Sequence, residues 1–182
     1  MPIMGNLINA NDESFESGTL GDWVASGTTT PTVTISTAQA LDGTHSAQVT
    51  TAGTSFAGLT WNTTRIPVTV GLNYTLSFWC YTTLTGRTAT AEINWYNSAG
   101  TYLSDSATGQ GLTANTWSLV STQAAAPTSA ASAVLLPLAI ASASGQVFYI
   151  DEIFFGILPD IPGGAVNPVY ATAQAVSRAH LW

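Results

Sequence analysis

The stretch YTLSFWCY, residues 74–81, decides the fold class of this chain. Its alternate positions form two sets, one of Tyr74, Leu76, Phe78 and Cys80 and the other of Thr75, Ser77, Trp79 and Tyr81. Because successive side chains of a β-strand point to opposite faces of a sheet, this alternation predicts a strand with one apolar face.

Similar alternation recurs on both sides of this stretch, in Thr32–Ser36 and in Ala89–Tyr96. The second segment places Ala91, Ile93 and Trp95 on one face and Glu92, Asn94 and Tyr96 on the other. Further strands are expected near residues 46–51, 56–61, 66–70, 116–122, 133–141 and 147–155, with turns at Asp42-Gly43, Val70-Gly71 and Ala99-Gly100. Many short strands at regular spacing predict an all-β antiparallel sandwich or barrel.

Charge and apolar run lengths exclude two classes of partner. The 182 residues include no lysine, three arginines and ten acidic residues, and the net charge is -7 at pH 7. Nucleic-acid binding requires several cationic groups that displace counterions from phosphates, so no nucleic acid is expected. The longest apolar run, residues 133–141, is less than half of the roughly 20 residues that a membrane-spanning helix needs, so no membrane is expected.

The sequence carries no pattern of catalytic residues. Its histidines are His45 and His180, no Gly-x-Ser-x-Gly motif occurs, and one cysteine with two scattered histidines gives no zinc-ligand spacing. The pairs Asp12-Glu13 and Asp151-Glu152 are each adjacent, whereas a glycosidase needs two carboxylates across a cleft. We therefore expect no enzyme, no catalytic residue and a Cys80 that is a buried, unpaired core residue.

The character of the sequence changes after Phe155. Prolines and glycines interrupt residues 159–168, and Asn167-Pro168 is typical of the start of a helix, here from about 168 to 181. We divide the chain into a domain at residues 1–155 and a C-terminal arm at residues 156–182. The alternative is a disordered terminus. The apolar residues of the arm, which ends at Trp182, favour docking on a neighbouring subunit, and hence a homo-oligomer or a contact with other proteins of a particle.

Six short motifs follow one another in an order that resembles a known family. They are Asn6-Leu7-Ile8 with Ser14–Gly18 and Trp23, Asp42–Ser46, Gly71–Trp79, Trp95–Gly100, Trp117 with Ala126-Pro127, and Phe148–Ile153. Together they resemble the carbohydrate-binding modules that have a calcium-bearing, galactose-binding-like jelly roll. The resemblance covers roughly residues 6–155 and implies that the β-sandwich is a jelly roll.

The opening motif and the run Ser36–Ala40 also resemble modules of virion proteins from phages that infect actinobacteria. This resemblance implies a virion location, as a capsid decoration or a tail component. It agrees with the first residues, which lack the basic and apolar segments of a signal peptide. The alternatives are an extracellular, stand-alone glycan-binding module and an accessory module of a polysaccharide-degrading enzyme.

The family resemblance implies a structural calcium ion that ties the chain ends together. The matching positions are Glu16 and Asp151, with main-chain carbonyls near Thr44. Calcium takes six to eight oxygen ligands, and a buried aspartate needs a partner. The alternative is that backbone amides donate hydrogen bonds to Asp151 and that no metal binds.

A glycan site is expected where aromatic rings accompany amides and carboxylates. Trp79 and Tyr81 lie on the side of their strand that is opposite the apolar residues. In the segment 89–96, Asn94 and Tyr96 likewise lie on the side opposite the apolar residues, next to Glu92. We therefore predict Trp79, Tyr81, Asn94 and Tyr96 as ligand-binding residues on one face. The alternative is ordinary packing of Trp79 and Tyr81, since large aromatics are mostly core or interface residues. Trp23, Trp61 and Trp117 are assigned to the core.

Overall fold

The fold consists of two antiparallel sheets packed face to face. The computed structural model describes residues 5–61 and 64–158. The elements are β1 (Gly5–Asn6), α1 (Ala10–Ser14), β2 (Trp23–Gly27), β3 (Thr32–Ser36), β4 (Ser46–Thr50), β5 (Ser55–Trp61), β6 (Ile66–Pro67), β7 (Asn73–Tyr81), β8 (Thr88–Tyr96), β9 (Tyr102–Gly111), β10 (Ser118–Ala125), β11 (Ser132–Ala141) and β12 (Val147–Ile157). This confirms the predicted antiparallel sandwich.

Most consecutive strands lie in different sheets, and the exceptions are β3-β4, β5-β6 and β8-β9. Sheet A has the order β10-β7-β12-β4-β3, with β1 paired to β12. Sheet B has the order β2-β5-β11-β8-β9, with β6 paired to β11. The crossings carry the chain over the core instead of along one sheet, as in a jelly roll.

The core lies between the two sheets and contains the apolar faces that the sequence predicts. On β7, Leu76, Phe78 and Cys80 are fully buried, and on β8, Ile93 and Trp95 are fully buried. Burying a side chain of the size of leucine or phenylalanine contributes about 1.5–3 kcal/mol relative to exposure. Burial of the apolar positions in the alternating pattern therefore stabilises the sandwich.

Three strands and one helix are absent from the sequence-based prediction. The two-residue β1, β2 and β9 were not expected, and β9 reads YLSDSATGQG, which has no apolar alternation. Residue-by-residue pairing with β8 holds β9 in the sheet. The five-residue α1 begins at the N-cap Asn9, whose side chain accepts from the amides of Asn11 and Asp12.

Two of the three tryptophans assigned to the core are buried. Trp23 and Trp61 pack edge to face with ring centroids 5.0 Å apart, whereas Trp117 is only half-buried, so its assignment is wrong.

No helix of the described residues is long and apolar enough to cross a membrane. The predicted helix and nearly all of the predicted arm lie outside the described residues, and the domain boundary stays a prediction.

Candidate glycan-binding face

The four predicted ligand-binding residues do not share a face. Trp79 and Tyr81 belong to β7 of sheet A, whereas Asn94 and Tyr96 belong to β8 of sheet B. Both pairs point away from the core, so they lie on the two opposite outer surfaces of the sandwich. The prediction of one common face is wrong, because alternation shows which residues share a side of a strand but not which sheet the strand joins.

Two residues in the middle of the outer face of sheet B are nearly fully buried. Thr90 and Leu138 are paired neighbours that point away from the core, yet they are only 7% and 4% exposed. Leu138 also lies outside the core cluster. Gly109 is paired with Thr90 and Gly58 with Leu138, so the positions on both sides of this pair carry no side chain.

One end of this face carries an aromatic pair and a cation. The rings of Tyr96 and Tyr102 meet edge to face with centroids 5.8 Å apart. The guanidinium carbon of Arg65 lies 3.9 Å from the centroid of the Tyr96 ring, which is a cation–π contact. Tyr102 is 49% exposed, so a flat ring faces the solvent at the rim.

A cleft of about 680 Å³ adjoins this pair. It is lined by Trp61, Thr64, Arg65, Asn97, Ser98, Gly100, Ala131, Ser132 and Val134. Main-chain groups, an amide, hydroxyls and a guanidinium therefore converge on a space beside two aromatic rings. That combination is typical of sites that hold small polar ligands.

The turn between β8 and β9 positions the aromatic pair. The side-chain oxygen of Asn97 accepts from the amides of Ala99 and Thr101, and Gly100 takes a φ of 79°. A Cβ at residue 100 would lie 2.7 Å from the Arg65 guanidinium, so glycine also makes room for that side chain. The pairing register of β8 and β9 shifts between Trp95 and Tyr96, which places Tyr102 directly opposite Tyr96.

Two carboxylates and an amide lie next along the same face. Asp105 is the cross-strand partner of Asn94, and the Tyr102 hydroxyl donates to Oδ1 of Asp105 at 2.7 Å. Burial and then the charge of Asp105 raise the pKa of Glu92, against a hydrogen bond from Asn94. The hydrogen bond to Asp105 is the main cause that raises the pKa of Tyr102. These groups offer hydroxyl-accepting oxygens beside aromatic rings.

The outer face of sheet A carries a different aromatic cluster. The Tyr81 ring lies 5.6 Å from that of Trp117 and 6.0 Å from that of Tyr149, at interplanar angles of 49° and 66°. Trp79 is half-buried and pairs with Leu119 of β10. Because the three rings of Tyr81, Trp117 and Tyr149 are inclined to one another and pack together, they match the packing alternative for Tyr81 better than a flat platform.

The predicted calcium residues surround one loop, residues 41–45. Glu16 accepts from the amides of Thr44 and His45 at 3.0 and 2.7 Å, and these hydrogen bonds outweigh burial and lower its pKa. Asp151 is fully buried and accepts from the amides of Leu41 and Glu152, each at 2.8 Å. Burial is the main cause that raises its pKa to about 7.

This arrangement supplies two carboxylates for a calcium ion but few further ligands. In residues 5–61 and 64–158, no three acidic, histidine or cysteine side chains converge. A calcium ion there would need main-chain carbonyls for most of its six to eight ligands, and the carboxylates would have to turn from the amide hydrogens that they now accept. Calcium at Glu16, Thr44 and Asp151 stays a prediction.

Sequence reasoning missed three members of the sheet B site: Arg65, Tyr102 and Asp105. Tyr102 and Asp105 belong to β9, which lacks alternation. The signal that finds them is the tight turn at Asn97–Gly100 after a strand, because such a turn implies a returning antiparallel strand. Nothing local connects Arg65 with Tyr96.

The amino-acid sequence of this chain matches a known protein family. The family described as "Carbohydrate binding domain" matches residues 8–142, which is well over half of the chain. The chain therefore belongs to this family of carbohydrate-binding domains. No curated protein sequence matches it significantly.

Solved structures share the fold at low sequence identity. The CBM22-1 xylan-binding domain of Paenibacillus barcinonensis Xyn10C is 19% identical with a TM-score of 0.66, covering 88% of this chain and 100% of that one. TmCBM61, solved with β-1,4-galactotriose, is 14% identical with a TM-score of 0.58, covering 82% and 97%. The enzymatically active domain of bacteriophage CBA120 tailspike protein 4 is 21% identical with a TM-score of 0.64, covering 84% of this chain but only 21% of the tailspike chain.

Proposed function

We propose that this chain binds a glycan on the outer face of sheet B. Tyr102 supplies a flat ring for the C–H surface of a sugar, while Asn94, Asp105 and Glu92 hydrogen-bond its hydroxyls. No step of this binding requires covalent chemistry, so the proposal includes no enzymatic activity.

The observation that carries the proposal is the convergence of recognition chemistry on one surface. The outer face of sheet B holds the exposed Tyr102, the carboxylates and the cleft beside Arg65. Two structural neighbours support the proposal, since their names record xylan binding and a bound galactotriose.

Affinity electrophoresis on a panel of soluble polysaccharides tests the proposal. Removal of one aromatic hot-spot side chain from a binding site costs about 2 kcal/mol or more, so Tyr102→Ala should weaken retention by more than tenfold. Val70→Ala is the matched control, because Val70 is an exposed apolar residue outside both sheets. Trp79→Ala tests the opposite face.

The outcomes separate the two faces. Loss of retention in Tyr102→Ala with retention kept in Trp79→Ala supports the sheet B site. Loss in Trp79→Ala alone would move the site to sheet A. Equal retention of both variants and the wild type on every retained polysaccharide would refute glycan binding by either face.

A second proposed role is that of a non-catalytic virion structural protein, as a capsid decoration or a tail component. The shared fold with a phage tailspike domain supports it, although the chain spans only about a fifth of that tailspike. In this role the sandwich is an exposed head that contacts host glycans, and residues 156–182 contact other copies or other virion proteins. Light scattering of the full chain and of residues 1–158 tests it: an oligomer that becomes a monomer on truncation is expected, and two monomers would contradict self-assembly through the arm.

A further inference from the structure

We propose that the sheet B site selects glycans that carry a protonated amino group, with Glu92 and Asp105 as the residues that recognise it. This inference rests on the proposed glycan site and adds the chemical class of the ligand. Glu92 and Asp105 lie on adjacent strands of the same face, and Ala107 and Asn94 are their respective cross-strand partners. Burial and then the charge of Asp105 raise the pKa of Glu92.

Neither carboxylate has a cationic partner among the described residues. Arg65, at one end of this face, packs on the Tyr96 ring. Two like charges without a counter-ion therefore face the solvent beside Asn94. An ammonium group supplies the missing charge and three hydrogen-bond donors, whereas a sugar carboxylate would add a third negative charge.

The aromatic pair favours the same ligand. A cation near the face of a tyrosine ring is attracted by its quadrupole, and Tyr102 is exposed next to Asp105, to which its hydroxyl donates. The net charge of -7 adds a long-range field that attracts cations and repels acidic polysaccharides. De-N-acetylated hexosamine chains fit these conditions in mildly acidic solution, where most of their amines are protonated.

Matched oligosaccharides test the inference: β-1,4-linked glucosamine chains and N-acetylglucosamine chains of the same length. At low salt and a mildly acidic pH, where most of the amines are protonated, the wild type should bind the amine form about fivefold more tightly or better, as expected for a partly exposed ion pair, and high salt should reduce the preference. Glu92→Gln and Asp105→Asn should each reduce the preference, and together they should abolish it.

Asp22→Asn is the charge-matched control, because it changes the net charge equally at a residue before β2, on the far edge of the sheet. An equal loss in Asp22→Asn would show general attraction of a polycation and overturn the inference, as would equal binding of both forms or no binding of the amine form. If a neutral glycan binds and Tyr102→Ala removes that binding while the amine gives no preference, the glycan site stands and only the inference fails. If Tyr102→Ala changes no binding, the proposed site itself fails.

Discussion

The buried carboxyl group of Asp151 makes folding stability depend on pH in a predictable direction. Its pKa is about 7 in the folded chain against 3.8 for an unperturbed aspartate. Between these values the folded state holds a proton that the unfolded state has lost. Stability therefore falls as pH rises from about 4 to about 7 and is then constant for this group.

The size of the effect follows from the two pKa values. A carboxyl that titrates near 7 instead of near 4 contributes about 4 kcal/mol less stability above pH 7 than below pH 4. Between pH 5 and pH 8 the expected loss from this group is about 2–3 kcal/mol. Glu16 acts in the opposite direction, because its pKa is lowered and its contribution is lost as the pH falls through its ordinary range.

Urea unfolding at pH 5 and pH 8, with EDTA present, measures this difference for the wild type and for Asp151→Asn. The substitution destabilises the fold at both pH values, because an asparagine amide cannot accept from both the Leu41 and Glu152 amides. The pH-dependent part is the readout: the wild type should lose about 2–3 kcal/mol more than the variant between pH 5 and pH 8. An identical pH dependence in the two proteins would refute the assignment of a proton to Asp151.

Three further predictions concern the loop residues and the core. Calcium in millimolar excess should raise the Tm at pH 8 and Glu16→Gln should remove that increase, whereas identical melting curves in calcium and EDTA would refute the calcium site. Gly21→Ala should destabilise the fold by more than the about 1 kcal/mol of a typical substitution, since Gly21 has a φ of 56° and a Cβ would lie 1.4 Å from Oδ1 of Asp12; an unchanged urea midpoint would contradict this. Burial raises the pKa of Cys80 to about 12, so a thiol reagent should label it only at the rate of unfolding, and fast labelling of the native chain would show an open core.

The strands with strong alternation could be predicted from the sequence, because every second side chain in them is apolar and is buried in the core. Residues 74–81 and 89–96 fall within β7 and β8, and 32–36 is β3 as predicted. β9 could not be read this way, because its serines, threonines and glycines gain their strand conformation from pairing with β8. Its local sequence favours a loop as much as a strand.

The site was predicted in part for a related reason. Asn94, Tyr96 and the neighbouring Glu92 lie on the candidate face, but the prediction that Trp79 and Tyr81 share this face was wrong. The segment between β7 and β8 carries the chain from one sheet to the other, and no local pattern encodes that crossing. Sheet membership is a long-range property, so faces of a sandwich are assigned safely only after the strand order is known.

The most direct test of the glycan-binding face is an NMR titration of the isotope-labelled chain with a glycan that it retains. The proposed site predicts amide shift changes concentrated on β8, β9 and the turn at Asn97–Gly100, in sheet B. Changes concentrated instead on β7, β10 and β12 would place the ligand on sheet A and contradict it.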